Sequence, residues 1–287
     1  MNIPGSYKSL LGRRDRAASF ARVLGGPGFA KIRLFAQTFS LPRNGAKPRR
    51  LKCFYAGHNF SIYCFSFREL TPFLEVFAAN EYSGDWTDCR TVLDIGANVG
   101  AASLYFWLRF PHARIVAIEP DRDNVERLKL NLAQIPGSTI VQKALADRSG
   151  RIPFYRLDGF NLGASLVEKR PGYNEDTVEA VTFEGLLDDL KIDSVDLCKF
   201  DIEGAEFGIF NTFLNSARLK QFVGEYHEDL THKPVTEFLN FFPRHKTQVL
   251  EIASNRFICR GMLNPEKIQT PLADTRVSAP QLHLPTV

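Results

Sequence analysis

From residue 91 onward, short apolar runs alternate with amphipathic stretches, and this rhythm limits the chain to a few folds. The first runs cover residues 92–95, 114–119 and 139–144, and the segments between them have helical spacing. A Gly- and Arg-rich interruption at 147–173 predicts a hairpin and loop. Further runs then follow at 178–183, 195–201, 222–227, 248–252 and 256–260. Strands that alternate with helices predict βαβ units and a mostly parallel sheet in an α/β fold.

The composition excludes several other classes of protein. Of the 287 residues, 44% are hydrophobic and 24% are charged, which rules out fibrous and wholly disordered chains. The five cysteines are widely spaced and form no CxxC pair, so we expect neither a disulfide framework nor a thiolate metal site, and we expect a cytoplasmic protein. No apolar run approaches the roughly 18 residues that span a bilayer, so no transmembrane segment is expected.

The net charge of +4 hides a strong asymmetry along the chain. Residues 1–52 carry 12 Lys and Arg against one acid, whereas the remainder carries 24 bases and 31 acids. We therefore predict a basic, flexible arm at 1–50 with one short helix at 15–24, suited to an anionic membrane surface, a phosphorylated acceptor or a partner. The other predicted segments are a lead-in or cover at 51–88, the α/β domain at 89–261 and a proline-containing tail at 262–287.

Polar residues follow most of the apolar runs, at the positions where open α/β sheets bind their ligands. Asp94, Gly96 and Gly100 predict a sharp turn from a strand into a helix, with backbone N–H groups close to a ligand. Glu119 lies 23 residues beyond Gly96, which is the spacing of a nucleotide-binding unit. A dinucleotide fingerprint would need glycine at positions 98 and 101, and the acid at 94 disfavours a pyrophosphate. We therefore expect a cationic cofactor.

Two later runs end in charged residues that alternate with apolar ones. Lys199 and Asp201 point to one face of a strand because they are two residues apart, and Glu225 and His227 do the same on the following strand. Consecutive parallel strands are often neighbours, so the four side chains are expected to converge at one cleft. We expect Lys199 to pair with Asp201 or Glu225, since buried charges are costly when unpaired.

Taken together, these motifs resemble the FkbM family of class I methyltransferases over residues 91 to about 229. The resemblance rests on Asp94–Gly100, Glu119-Pro120, Ala144–Asp147 followed by Gly150, Asn161 with Ser165-Leu166, Lys199–Glu206 and Glu225–His227. Lys143 departs from the family pattern, in which Asn precedes the Ala-Leu-Ala string. The resemblance implies a Rossmann-like, mostly parallel seven-stranded sheet with an antiparallel last strand, and S-adenosylmethionine as the cofactor.

The resemblance also implies roles for individual residues. The methionyl part of the cofactor is expected to lie beside Asp94, Gly96, Ala97, Asn98 and Gly100. Glu119 is expected to hold the ribose, and Ala146 or Asp147 to lie near the adenine. Asp201 is expected to face the methyl group that is transferred.

Methyl transfer to a hydroxyl needs a base that removes the proton, and the two candidates are Asp201 and His227. Lys199 and Glu225 complete the expected catalytic group. A divalent cation that acidifies the acceptor is an alternative. Its ligands would be Glu225, His227, Glu228 and Asp229. One histidine among acids supports such a site only weakly, so no metal is predicted.

The function that we expect is S-adenosylmethionine-dependent O-methylation of a small molecule or a sugar, with Phe160 and Tyr173 lining the acceptor pocket. One alternative is an RNA methyltransferase that grips phosphates with the basic arm. Base N-methyltransferases commonly carry an Asp- or Asn-Pro-Pro-aromatic string after the fourth strand, where this chain has Asp201–Gly204, so nucleic acid is disfavoured. The others are a binding protein that retains the cofactor without catalysis and, least favoured, a nicotinamide oxidoreductase.

Overall fold

The computed structural model describes residues 12–157, 163–213, 218–264 and 266, so Phe160 and most of the predicted tail lie outside the described residues. The helices are α1 (Arg13–Leu24), α2 (Phe29–Phe39), α3 (Thr71–Phe77), α4 (Ala101–Arg109), α5 (Arg122–Leu132), α6 (Phe183–Asp189), α7 (Glu206–Thr212), α8 (Glu228–Thr231) and α9 (Val235–Leu239). The strands are β1 (Arg49–Tyr55), β2 (His58–Cys64), β3 (Thr91–Ile95), β4 (Arg114–Ile118), β5 (Thr139–Val141), β6 (Ala144–Leu145), β7 (Gly150–Arg156), β8 (Asn174–Val181), β9 (Leu197–Phe200), β10 (Gln221–His227), β11 (His245–Ala253) and β12 (Arg256–Leu263).

Seven of the described strands form the main sheet, in the order β11-β12-β10-β9-β3-β4-β5. The pairs β3–β4, β4–β5, β3–β9 and β9–β10 are parallel, whereas β12 is antiparallel to both of its neighbours. The predicted mostly parallel, Rossmann-like sheet with an antiparallel last strand is therefore confirmed. The central strands are buried along almost their whole length, as expected of parallel strands covered on both faces.

The order of the strands reverses next to β3. The chain runs outward from β3 to β4 and β5 on one side, and from β9 to β10 on the other. The carboxyl ends of β3, β4, β9 and β10 therefore meet at a switch point, which is the part of an open α/β sheet where ligands bind.

The predicted hairpin is present, but the apolar run at 178–183 does not join the main sheet. Strand β8 pairs antiparallel with β7 and parallel with β6 in a separate three-stranded sheet. Arg156 at the end of β7 ties this sheet to the main domain, because its buried guanidinium bonds Asp121, at 2.9 Å, and Asp123. Asp121 also caps α5 by accepting from the N–H groups of Asp123 and Asn124.

The basic N-terminal segment is not a loose arm over the residues that the structure describes. Helices α1 and α2 pack together, and Phe20, Leu24 and Leu34 are fully buried in one core with β1, β2 and one face of the main sheet. The prediction of a flexible arm is wrong here because the apolar residues of α1 form a single stripe, which the surrounding arginines obscure. Among the described helices, none is long and apolar enough to cross a bilayer.

Close packing leaves no room for a side chain at residue 100, the glycine at the start of α4. Gly100 has φ +89°, and a Cβ added there would lie 2.6 Å from a methyl carbon of Leu132 and 2.9 Å from one of Leu128. Gly137 also has a positive φ, of +69°, but has no atom within 4 Å of its added Cβ. We expect Gly100→Ala to lower the free energy of unfolding by about 1–3 kcal/mol more than Gly137→Ala, which carries the backbone strain alone. Urea unfolding measures the stability of both variants. Equal losses would show that Leu128 and Leu132 move aside and accommodate the added Cβ.

Candidate active site

A cavity of about 500 Å³ opens at the switch point, a size typical of small-molecule sites. Its walls include the turn after β3, the ends of β4 and β9, and the interrupting stretch between β7 and β8. The N-terminal segment supplies a further wall through Arg16 on α1, the helix α3 and Tyr82. Sequence motifs pointed to the strand ends but gave no signal for this N-terminal wall.

Lys199 holds the turn after β3 in place. Its Nζ lies 3.1 Å from Oδ1 of Asp94 and donates to the carbonyl oxygens of Ile95, at 3.2 Å, and Gly96, at 2.8 Å. Ser103 donates to the other oxygen of Asp94 at 2.6 Å. The expected pairing of Lys199 with Asp201 or Glu225 is therefore wrong, because Asp94 lies directly opposite Lys199 in the parallel register of β3 and β9.

The backbone N–H groups of this turn are already used within the protein. Those of Gly96 and Ala97 donate to the carbonyl of Ile118, and that of Asn98 donates to Glu119. These three N–H groups therefore cannot bind an anionic ligand, contrary to the expectation that they would lie close to one. Gly96 is needed for a different reason: its φ is +72°, and a Cβ there would lie 1.9 Å from the carbonyl oxygen of Asp201.

Only some of the residues that were predicted to bind the cofactor line the cavity. Gly96, Ala97, Asn98 and Glu119 line the cavity, whereas Asp94 and Gly100 are not among its lining residues. The same holds for Ala146, which is buried, and Asp147, which is exposed. Ala144 and Leu145, two positions earlier, line the cavity instead, together with Ile118 and Asn124.

Glu119 is a buried carboxylate at the end of β4. Its two oxygens accept hydrogen bonds from the N–H groups of Asp121, at 2.9 Å, and Asn98, at 2.8 Å. Burial raises the pKa of Glu119 to about 7, and these hydrogen bonds only partly oppose the rise. The side chain of Asn124 also hydrogen-bonds this carboxylate, so three of its about four acceptor sites are used and one remains for a hydroxyl in the cavity.

Asp201 is the acid that the sheet presents to the cavity at the end of β9. About 30% of its side chain is exposed, and it lies among the lining residues. Tyr82 donates to its Oδ2 at 3.3 Å, and its Oδ1 lies 3.8 Å from Nε2 of His227. The carboxylate is therefore held by the hydroxyl of Tyr82 and faces the cavity.

His227 and Glu225 stand behind Asp201 and are not among the cavity-lining residues. Nδ1 of His227 lies 2.7 Å from Oε1 of buried Glu206, and Nε2 lies 3.4 Å from Oε1 of Glu225. Burial disfavours the imidazolium, but the negative charge of Glu206 outweighs it and holds the pKa of His227 well above its ordinary value. Asp201 lines the cavity and His227 does not, so Asp201 is the candidate base that an acceptor can reach.

Two arginines that line the cavity, Arg170 and Arg256, pair with nearby acids. Arg170 donates to Glu203 at 3.1 Å, and Arg256 lies 3.6 Å from Glu225 and 3.1 Å from Asp229. Tyr173 also lines the cavity. Both arginines come from segments without a recognisable motif, so no pattern in the sequence singles them out.

A model of the methyltransferase FkbM domain matches residues 94–249 of this chain. The 2-O-methyltransferase NoeI of Sinorhizobium fredii is 29% identical over 132 residues, which are 40% of this chain and 54% of NoeI. The hexuronic acid methyltransferase AglP of Haloferax volcanii is 26% identical over 149 residues, which are 51% of this chain and 60% of AglP. The chain thus spans little more than half the length of these relatives. A solved chain of the fibrillarin/Nop5p complex has a TM-score of 0.43 at 11% identity, covering 78% of this chain and 92% of that chain.

Proposed function

Because this chain belongs to the methyltransferase FkbM family, we propose that it transfers a methyl group from S-adenosylmethionine to a hydroxyl of a saccharide or another small molecule. The observation that carries the proposal is one cavity lined both by Glu119, a buried acid after β4, and by Asp201, an acid after β9. The first suits a ribose and the second suits a proton transfer at the reacting centre.

The residues of the cavity support this choice of cofactor. Glu119 can accept a hydrogen bond from a ribose hydroxyl, and Ala144 and Leu145 offer an apolar surface for the adenine. The N–H groups of the turn after β3 are engaged, which disfavours a pyrophosphate, and the acids Asp201 and Glu203 suit a positively charged sulfonium. When bound, the cofactor supplies an electrophilic methyl group.

Asp201 would then orient the acceptor hydroxyl and take its proton as the new carbon–oxygen bond forms and the methyl–sulfur bond breaks, with a neutral thioether as the leaving group. Tyr82 donates a hydrogen bond to one oxygen of this carboxylate, which helps to hold it in place at the cavity. Such fixed placement of a reacting group is a major source of rate acceleration.

The acceptor class is supported by the relatives, two of which are named a 2-O-methyltransferase and a hexuronic acid methyltransferase. A panel of saccharides and phenols, incubated with the protein and S-adenosylmethionine labelled in the methyl group, tests the proposal. Label should appear in a hydroxyl compound and form an ether. Transfer to RNA, or tight binding of NAD with none of S-adenosylhomocysteine in calorimetry, would contradict it. Cofactor binding without transfer to any acceptor class would indicate a non-catalytic binding protein.

The raised pKa of Glu119 predicts a pH dependence of cofactor affinity. Ribose hydroxyls donate more strongly to the carboxylate than to its protonated form, so binding favours the ionised state. Affinity for S-adenosylhomocysteine should therefore rise with pH up to about 7, by as much as about tenfold per unit, and then level off. Calorimetry on Glu119→Gln provides the control, since the ligand's own titration is common to both proteins and only the Glu119 contribution should vanish. Parallel pH profiles for the two proteins would contradict the ribose assignment.

A further inference from the structure

We propose that Asp201, Glu225 and His227 bind a divalent cation at the carboxyl ends of β9 and β10. One ligand atom of each residue lies within 4.8 Å of the ligand atoms of the other two. Nε2 of His227 is 3.4 Å from Glu225 Oε1 and 3.8 Å from Asp201 Oδ1. Two atoms bound to one ion at about 2.2 Å are about 3.1 Å apart when adjacent in an octahedron and about 4.4 Å apart when opposite, so both measured distances fall in this range.

The orientation of His227 is that of a metal ligand. Its Nδ1 contacts the buried carboxylate of Glu206 at 2.7 Å, and a carboxylate in this position fixes the ring and raises the basicity of the other nitrogen. Nε2 is fully buried, points at Asp201 and Glu225, and has no hydrogen-bond partner among the described residues. A buried polar atom without a partner is rare in folded proteins and indicates a missing ligand or ion.

The local charge also favours a cation. Four carboxylates lie within about 4 Å of the His227 ring, on Asp201, Glu203, Glu206 and Glu225. The neighbouring guanidinium groups of Arg170 and Arg256 are shared among Glu203, Glu225, Glu168 and Asp229. The acids of this cluster therefore outnumber its two arginines. Buried negative charges are costly unless they are paired or bound to a metal.

This ligand set differs from the alternative that the sequence suggested. Glu228 accepts a hydrogen bond from the N–H group of Val235 at 2.9 Å, and Asp229 bonds Arg256, so neither belongs to the triad. Two carboxylates with one imidazole, and no thiolate, suit Mn²⁺ and related ions that accept both oxygen and nitrogen.

The role of this cation in the reaction rests on the proposed function. A cation beside Asp201 would lower the pKa of an acceptor hydroxyl in the cavity and so assist its deprotonation. Binding of the cation itself needs neither cofactor nor acceptor and can be measured separately.

The test is a titration of the full chain, freed of metal by a chelator, with Mn²⁺ followed by calorimetry and by the paramagnetic resonance signal of free Mn²⁺. We expect saturable binding of one ion per chain, weakened at least about tenfold in Glu225→Gln and in Asp201→Asn. Glu206→Gln should also weaken binding about 10- to 100-fold, since it disturbs the ring that holds Nε2 in place.

The control variant is Glu228→Gln, which removes a neighbouring negative charge but keeps an oxygen for the Val235 N–H group. It should bind Mn²⁺ like the unmodified chain. Absence of saturable binding to the unmodified chain, or equal binding by Glu225→Gln, would overturn the inference. Mn²⁺ binding without methyl transfer to any acceptor would leave the site intact and count against the proposed function alone.

Discussion

Replacing Asp201 by Asn is expected to slow methyl transfer by about 10²- to 10⁴-fold, the usual contribution of a positioned acid or base. An amide keeps the size of the side chain and still accepts the hydrogen bond from Tyr82, so the local structure should survive. It cannot take a proton from the acceptor hydroxyl. Single-turnover transfer of labelled methyl groups measures the rate.

The matched control for this change is Asp147→Asn, at an exposed acid outside the cavity lining, which should leave the rate unchanged. Affinity for S-adenosylhomocysteine should stay within a few-fold in both variants, because Asp201 is assigned to the acceptor. Full activity of Asp201→Asn, or a loss explained by cofactor affinity alone, would contradict this assignment.

The second large effect is expected at Lys199, whose replacement by Met should lower the free energy of unfolding by about 3–5 kcal/mol. The change leaves the carboxylate of Asp94 buried without its cation. It also removes two hydrogen bonds to the carbonyl oxygens of the turn at Gly96, so cofactor affinity should fall as well. Urea unfolding and calorimetry measure the two effects.

Two further variants separate the ion pair from the packing of Lys199. Asp94→Asn added to Lys199→Met should recover part of the lost stability, because it removes the unpaired charge while Ser103 still bonds the side chain. Lys220→Met breaks a more exposed pair with Asp196, at 2.6 Å, and should change stability by at most about 1 kcal/mol. Equal losses for Lys199→Met and Lys220→Met would show that burial of the first pair is unimportant.

The sequence predicted the sheet and the strand-end acids because both leave local signals. Alternation of apolar runs gives the strands, and spacing gives the face on which Lys199 and Asp201 lie. Which neighbour Lys199 meets depends on the order of the strands, and the structure places β9 beside β3 as well as beside β10. Asp94 thus became the partner, which no spacing rule within one strand could show.

Other parts of the site depend on contacts between distant segments. Tyr82 reaches Asp201 across 119 positions of the chain, from a stretch without a motif. Helix α2 follows a run of glycines that reads as a loop, and its burial comes from packing against α1 and β1. Ala144 and Leu145 line the cavity, two positions before the pair that the family resemblance implied, because the third apolar run splits between two sheets.

The wall of the cavity that Arg16, α3 and Tyr82 provide lies wholly before residue 94, where the match to the family domain begins. Glu119 and Asp201, which we propose to hold the ribose and to take the acceptor proton, lie within the matched region. The cavity is thus completed by a stretch of chain that the family domain does not cover. Arg16 and α3 are the places to vary the shape of this wall, whereas Tyr82 has to be kept because it donates a hydrogen bond to Asp201.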